Sequence, residues 1–255
     1  GLYPIVASYG PHFGEEAPLV GNGGSGTIFF SGCNLNCSYC QNYEISQLVE
    51  GEETTPQEIA SMMLELQVRG CHNINLVSPT HVVPQILAAV ALAAQSGLRL
   101  PIVYNTGGYD APRTMRLLDG VVDIYMPDAK YASSEIAQRL SGIKQYAAVN
   151  RAMIREAYRQ VGSLRINRQG VAERGLLVRH LVLPNSLAGS EEVMAFLARE
   201  ISTHTYVNVM DQYHPCYRAS SDALLARRLT REEYRAAVAA ARAVGLYRLD
   251  GYWQP

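Results

Sequence analysis

The 255-residue chain is long enough for one large domain, and its hydrophobic fraction of 48% and charged fraction of 18% are ordinary for a globular protein. A formal net charge of −1 leaves no basic surplus for a phosphate backbone, and the longest apolar run, residues 86–94, is too short to cross a bilayer. We therefore expect no nucleic-acid or membrane partner. Because no signal peptide is visible, we expect a cytoplasmic protein whose five cysteines are reduced thiols or metal ligands.

The predicted elements alternate between strand and helix along most of the chain. A Gly- and Pro-rich stretch at residues 1–26 shows no sustained period and is expected to form an ordered loop or arm. Capping boxes at Thr55 and Thr230 predict the starts of two helices. Strands are expected at residues 27–30, 74–77, 102–104, 121–125, 176–183 and 206–210, with helices at 55–70, 83–96, 112–118, up to 161, 191–200 and after 230.

Alternating strands and helices predict a parallel sheet, which could be either a doubly wound sheet or an incomplete barrel. In both architectures ligands bind at the carboxyl ends of the strands. Residues 97–99 and 172–174, at the opposite ends, look like ordinary turns. We therefore predict one catalytic rim, with solvated loops as the alternative. Polar residues follow the predicted strands in this order: Cys33, Cys37 and Cys40; Ser78 and Thr80; Asn105 and Thr106; Asp128 and Lys130; Asn185; Asp211 and His214.

Three of the five cysteines, Cys33, Cys37 and Cys40, lie within eight residues of one another. Thiolates at this density suit zinc or an iron–sulfur cluster. A closed zinc site or a fully ligated electron-transfer cluster would need Cys216 or a histidine as fourth ligand. Cys71 is expected at the far end of the sheet as a small buried residue. The third possibility is a cubane cluster with three protein-held irons and one open iron, where chemistry would occur.

The spacing Cys33-x-x-x-Cys37-x-x-Cys40, with Tyr39 before the last cysteine, resembles the signature of the radical S-adenosylmethionine (SAM) enzymes. The chain is most similar to the activating enzymes of pyruvate formate-lyase and their uncharacterised homologues. This resemblance implies an incomplete (β/α)6 barrel that binds a [4Fe–4S] cluster and SAM. It also implies one domain with an arm at 1–26, a barrel core at 27–215 and a loop, helix and tail at 216–255. The further resemblances are the Gly-rich run 21–26, Asp128-x-Lys130, residues 179–184 and Tyr213-His214.

The chain departs from the family pattern after the second predicted strand. Such enzymes commonly carry Gly-Gly-Glu there, which holds the amino group of the methionine part of SAM, whereas this chain has Ser78-Pro79-Thr80. Hydroxyl groups and backbone carbonyls accept hydrogen bonds from an ammonium, but they bring no formal charge.

The resemblance also implies roles for the rim residues. The three cysteines would hold the cluster, and the candidate SAM contacts are Tyr39, Ser78, Thr80, Asn105, Thr106, Asp128, Lys130, Arg179 and His214. Core packing is the alternative for Tyr39, and a solvated ion pair is the alternative for Asp128 with Lys130. On the fifth strand the alternation allows either Arg179 or His180 to point inward; the resemblance selects Arg179.

Three functions follow as hypotheses. The first is a radical SAM enzyme that cleaves SAM to a 5′-deoxyadenosyl radical and activates a glycyl radical enzyme by abstracting hydrogen. The second keeps the chemistry but acts on a peptide or small metabolite, and the third is a non-catalytic iron–sulfur electron carrier. Electrons would come from a flavodoxin or ferredoxin. As the resemblance implies, the open side of the barrel would suit a glycyl loop of a partner, docked on residues 12–16 and on the aromatic tail at 246–255. The same segments could instead close a lid over a small molecule.

Overall fold

A nine-stranded, mostly parallel sheet runs through residues 3–251, the part of the chain that the computed structural model describes. The strand order is β3-β1-β2-β4-β5-β6-β8-β7, and β9 also pairs with β8. The strands are β1 Ile5–His12, β2 Ser25–Phe30, β3 Glu52–Glu53, β4 Ile74–Val77, β5 Ile102–Thr106, β6 Ile124–Pro127, β7 Arg165–Ile166, β8 Ala172–Leu181 and β9 Tyr206–Met210.

Helices connect the parallel strands and cover the outer face of the sheet. The capping boxes predicted at Thr55 and Thr230 are confirmed, since each threonine accepts a hydrogen bond from the backbone three residues on. The helices are α1 Ala17–Val20, α2 Tyr43–Ser46, α3 Pro56–Val68, α4 Val83–Gln95, α5 Pro112–Leu117, α6 Ser134–Ser141, α7 Tyr146–Val161, α8 Ser190–Phe196 and α9 Arg231–Ala243; a π-turn at Leu197–Ile201 extends α8. No helix of residues 3–251 has both the length and the apolarity that a bilayer crossing requires.

Six parallel strands, β2, β4, β5, β6, β8 and β9, form the barrel, and within the described residues β2 and β9 do not pair. This arrangement confirms the predicted incomplete (β/α)6 barrel. Leu19 of α1 packs with Val103, Ile124 and Leu177 in a buried cluster on the inner face of the strands. Val103 and Ile124 lie at the amino-terminal starts of β5 and β6, so α1 closes that end of the interior.

The expectation that residues 1–26 form a loop-like arm is wrong for much of the described part. Ile5–His12 forms β1, which pairs antiparallel with β2, and Ala17–Val20 forms a short helix. A register shift between Val6 and Ser8 interrupts the alternation of side chains. Strand β1 lies near the edge of the sheet, where Pro11 is tolerated because few ladder hydrogen bonds are lost.

Several boundaries also differ from the prediction, two of them by a change of position or type. The fourth predicted strand, 121–125, is observed at Ile124–Pro127, and residues 172–174, expected to be a turn, belong to β8. Gly175 explains why residues 172–174 were not predicted to belong to β8, because its φ of +127° departs from regular strand conformation. A side chain there would put its Cβ 2.4 Å from Cα of Leu164, so only glycine fits.

Candidate active site

A cavity of about 210 Å³ opens where the parallel strands end. It confirms the geometric part of the rim prediction, because residues from six different strand ends meet in it. Thr80 and His214 do not line the cavity. The predicted site residues that do line it are Cys33, Cys37, Cys40, Tyr39, Ser78, Asn105, Thr106, Asp128, Lys130 and Arg179.

The loop that carries the three cysteines is docked on the end of α6. The backbone N–H of Asn36 donates to the carbonyl of Ser141 at 3.0 Å, and that of Ser38 donates to the carbonyl of Leu140 at 2.8 Å. Gly142, in the left-handed conformation, ends α6 at this point and leaves those carbonyls free to accept. The loop is therefore held by main-chain bonds that do not depend on a bound group.

Each of the three sulfurs has a hydrogen-bonding group beside it. The N–H of Leu35 donates to Cys33 at 3.4 Å, the Ser141 hydroxyl donates to Cys37 at 3.0 Å, and Ser46 Oγ lies 3.1 Å from Cys40 Sγ. Donors of this kind stabilise thiolates, which are the form that binds metal.

Burial opposes the thiolate form when no metal is bound, because it raises the pKa of Cys33 to about 11 and also raises the pKa of Cys37. A metal group would supply the missing positive charge. Within residues 3–251, no three His, Cys, Asp or Glu side chains converge on a single metal ion. In an iron–sulfur cluster each cysteine would bind a different iron, so the three sulfurs need not converge on one ion.

The other two cysteines do not line the cavity. Cys71 is buried in the main core near Gly26, at the amino-terminal end of β4. Cys216 packs against the cysteine loop near Cys40, because its sulfur donates to the carbonyl of Tyr39 at 3.2 Å.

Asp128 organises the charged wall of the cavity. Its carboxylate accepts from Nζ of Lys130 at 2.5 Å and from Nε of Arg179 at 2.9 Å, and Arg179 Nη2 donates to Asn105 at 2.8 Å. Burial alone would raise the pKa of Asp128, but the charges of Arg179 and Lys130 outweigh it and hold that pKa below its usual value. Arg179 and Lys130 both line the cavity, and cationic donors of this kind suit an anionic group such as a carboxylate.

Glu15 and Glu16 reach into the barrel interior, although residues 12–16 were expected to form an exposed docking surface. Each carboxylate has an oxygen 4.0 Å from the guanidinium of Arg179, and Glu16 also accepts from Asn208 at 3.0 Å. Burial raises the pKa of Glu15 to about 7, against the opposing charge of Arg179. Among the described residues, Glu16 Oε2 and both amide atoms of Asn75 have no hydrogen-bond partner. Sequence reasoning did not identify Glu15 and Glu16 as site residues. The only signal for their burial was that they directly precede the apolar stretch containing Pro18 and Leu19.

Tyr39 has the core-packing role that the sequence left open as an alternative, and it also borders the cavity. It is only 5% exposed and makes edge-to-face contacts with Tyr131 and Tyr213. Its hydroxyl points into the core, where it lies 2.5 Å from the hydroxyl of Tyr131. The adenine contact remains a prediction.

Ser78 and Thr80 differ in their position relative to the cavity. Ser78 has a φ of +57°, which is uncommon for a residue other than glycine, and it ends β4 at the cavity wall. Thr80 lies 3.1 Å from the hydroxyl of Thr106, which in turn donates to the buried Asp110 at 2.6 Å. Sequence reasoning did not identify Asp110, which also accepts from Tyr104 and supports the site from outside the cavity.

Neither His214 nor His180 lines the cavity. His214 is half-buried, with Nδ1 3.3 Å from the carbonyl of Gln212, and is not placed to line the cavity as a ribose contact would require. His180 points away from Arg179 into the core, where its ring nitrogens lie 2.7 Å from the carbonyl of Ala129 and 2.8 Å from Ser190 Oγ. Burial lowers its pKa to about 4, so it is a neutral structural residue.

Comparison with known proteins assigns the family. Residues 27–167 match the model of the Radical SAM superfamily, which covers more than half of the chain. This chain therefore belongs to the radical SAM superfamily. The cofactors of this superfamily are a [4Fe–4S] cluster and SAM, in agreement with the prediction, and the cysteine triad at the cavity offers thiolate donors for such a cluster.

The relatives include the uncharacterized protein MJ0674 of Methanocaldococcus jannaschii, which is 32% identical over 237 residues. The match covers 89% of this chain, and the chain spans 64% of that relative's length. The solved structures that share the fold include a radical SAM methyltransferase from Sphaerobacter thermophilus, with a TM-score of 0.57 at 16% identity. That match covers 86% of this chain and 64% of the methyltransferase chain. They also include methylornithine synthase (PylB), with a TM-score of 0.58 at 16% identity over 88% of this chain and 63% of the synthase chain.

Proposed function

We propose that this radical SAM enzyme activates a glycyl radical enzyme by removing a hydrogen atom from a glycine of that partner. When bound, the reduced cluster supplies the electron that splits SAM into methionine and a 5′-deoxyadenosyl radical, the general reaction of the superfamily. The observation that carries this chemistry is the single cavity in which the cysteine triad faces Asp128, Lys130 and Arg179.

The residues of the cavity have distinct proposed tasks. Cys33, Cys37 and Cys40 hold the cluster, and Arg179 donates to the carboxylate of SAM. Asp128 keeps the guanidinium in place at the cavity wall by its bond to Nε. The Ser78 hydroxyl and nearby carbonyls would accept from the amino group of SAM in place of a glutamate.

An exposed apolar pair close in sequence to the cavity lining favours a protein as the target. Leu48 and Val49 are 60% and 42% exposed, and they follow Ser46, which lines the cavity. Val49 has a φ of +59°, an unfavourable conformation for a β-branched residue. Strain of this kind is often found at functional sites, and exposed apolar side chains suit a docking protein surface.

The test is to follow the hydrogen. Candidate glycyl radical enzymes labelled with deuterium at glycine Cα are incubated anaerobically with the enzyme, SAM and a reductant, and 5′-deoxyadenosine is analysed for deuterium. We expect label transfer by the wild type and none by Cys37→Ala. Leu48→Glu should reduce label transfer while 5′-deoxyadenosine still forms without a partner. Val68→Glu is the matched control, because Val68 is 87% exposed on α3 away from the cavity.

A peptide or small metabolite is the second candidate, and the barrel interior supplies the observation in its favour. Glu16 Oε2 and the amide of Asn75 are buried without hydrogen-bond partners among the described residues, and a polar substrate could satisfy them. If no protein transfers label while a deuterated low-molecular-weight cell extract does, the activator proposal is wrong and this one replaces it.

For the reductant we propose a flavodoxin or ferredoxin. Apart from the triad, the chain has only Cys71 and Cys216, which are too few for a second cluster that would relay electrons. The test is whether either carrier protein, reduced by its own reductase, supports 5′-deoxyadenosine formation; failure of both would exclude them.

A further inference from the structure

We infer that three hydroxyl groups, those of Tyr39, Tyr131 and Ser141, form a hydrogen-bond relay that ends on the sulfur of Cys37 and raises the reduction potential of the cluster. The inference goes beyond the proposed function, because it rests on the cluster of the superfamily and not on the identity of the substrate. These three are positioning residues that act through Cys37.

The relay is continuous and buried. Ser141 Oγ lies 3.0 Å from Cys37 Sγ, Tyr131 Oη lies 2.6 Å from Ser141 Oγ, and Tyr39 Oη lies 2.5 Å from Tyr131 Oη. The exposed fractions are 5% for Tyr39, 2% for Tyr131, 0% for Ser141 and 7% for Cys37. A phenylalanine in place of either tyrosine would bury the same ring without a polar atom, so packing alone does not account for the hydroxyls.

The direction of the relay follows from counting protons. Each hydroxyl carries one proton, and a thiolate that ligates iron can only accept. The proton of Ser141 therefore points to Cys37, that of Tyr131 points to Ser141, and that of Tyr39 points to Tyr131. Hydrogen bonds arranged head to tail polarise one another, so the last donor is strengthened by the two behind it.

Cys37 is where such a donor should have its largest effect. It is the most buried of the three cysteines, and its donor contact of 3.0 Å is shorter than those at Cys40 and Cys33. Reduction adds negative charge to the cluster and its sulfurs, and a hydroxyl proton held close in a dry environment stabilises that charge. Hydrogen bonds to the sulfurs are among the factors that set cluster potentials.

Ser141 also docks the cysteine loop through the main chain, and this must be separated from the effect of its hydroxyl. Its carbonyl accepts from Asn36, and the preceding carbonyl accepts from Ser38. Both bonds survive in Ser141→Ala, so this variant removes the hydroxyl alone. Ser38→Ala is the matched control: Ser38 is in the same loop, and its hydroxyl has no partner among the described residues.

The experiment is an anaerobic redox titration of the reconstituted full chain, followed by the electron paramagnetic resonance signal of the reduced cluster, with iron and sulfide measured for each variant. In Ser141→Ala we expect reduction to become about tenfold less favourable, a fall of about 59 mV in the midpoint potential. Ser38→Ala should match the wild type. A fully loaded Ser141→Ala protein with the wild-type potential would overturn the inference.

If Ser141→Ala does not load a cluster, Tyr131→Phe decides the matter, because it keeps the ring and leaves Ser141 in place. Without the Tyr131 proton the Ser141 donor is weaker, and we expect reduction to be about threefold less favourable, or about 28 mV lower. An unchanged potential in a loaded Tyr131→Phe protein would overturn the inference equally.

Discussion

Asp128, directly after β6, accepts a hydrogen bond at 2.9 Å from the guanidinium of Arg179 in β8, so one buried ion pair joins two strand ends at the cavity. Lys130 lies on the other carboxylate oxygen. The carboxylate therefore separates two cations that would otherwise repel each other at short range. Both cations of the cavity wall are held by this one side chain.

Asp128→Asn keeps the shape of the side chain but removes its charge. Buried Lys130 then loses its counter-ion, and Arg179 keeps only the more distant Glu15 and Glu16, each 4.0 Å away. We therefore expect the free energy of unfolding to fall by about 3 kcal/mol, as measured by urea unfolding. The control is Asp222→Asn, which breaks the more exposed ion pair with Arg139 and should cost about 0.5 kcal/mol. Equal losses of unfolding free energy in the two variants would show that the buried ion pairs of Asp128 stabilise the fold no more than the exposed pair does.

The cysteine variants test which sulfurs hold the cluster. Anaerobic reconstitution of Cys33→Ala, Cys37→Ala and Cys40→Ala should give little bound iron and sulfide, because each cysteine is expected to ligate a different iron. Cys71→Ala and Cys216→Ala serve as controls and should load as the wild type does, since neither lines the cavity. Loss of the cluster from Cys216→Ala would contradict a three-cysteine site.

Glu15 predicts an unusual pH dependence of stability. Its pKa is about 7 in the folded protein and is raised mainly by burial, so between pH 4.5 and pH 7 the folded state holds a proton that the unfolded state has released. Stability therefore falls as the pH rises through this window, by an amount on the order of 3 kcal/mol.

The variant Glu15→Gln should remove that part of the pH dependence and melt at a higher temperature than the wild type at pH 8. The exposed Glu53→Gln is the control and should change stability by less than about 0.5 kcal/mol. A wild-type melting temperature that rises steadily from pH 5 to pH 7, with the same profile in Glu15→Gln, would refute a buried protonated Glu15.

Gly23 tests the close packing of the Gly-rich run. A Cβ there would lie 1.9 Å from the carbonyl oxygen of Gly70, and since the obstacle is backbone the chain would have to shift. We expect Gly23→Ala to destabilise the protein by about 3 kcal/mol in thermal or urea unfolding. Gly10→Ala is the control: no atom lies within 4 Å of its Cβ, so its melting temperature should hold or rise slightly. Similar behaviour of the two variants would mean that the contact with Gly70 is easily relieved.

Much of the barrel could be predicted from the chain alone because its signals are local. The capping box at Thr55, strand Ile74–Val77 and strand Tyr206–Met210 depend on neighbouring residues or on short apolar runs, and they are observed where predicted. The cysteine spacing is local too, and with the strand before it this was sufficient to indicate the superfamily.

Tertiary structure alone decided the rest, because it depends on contacts between residues far apart in the chain. Alternation along β8 allowed either Arg179 or His180 to face the cavity, and pairing with Asp128 across β6 selects Arg179. Strand β1 is stabilised by its partner β2 and not by its own Gly- and Pro-rich sequence. Glu15 and Glu16 looked like solvated loop residues, but the return of the chain through α1 buries them beside Arg179.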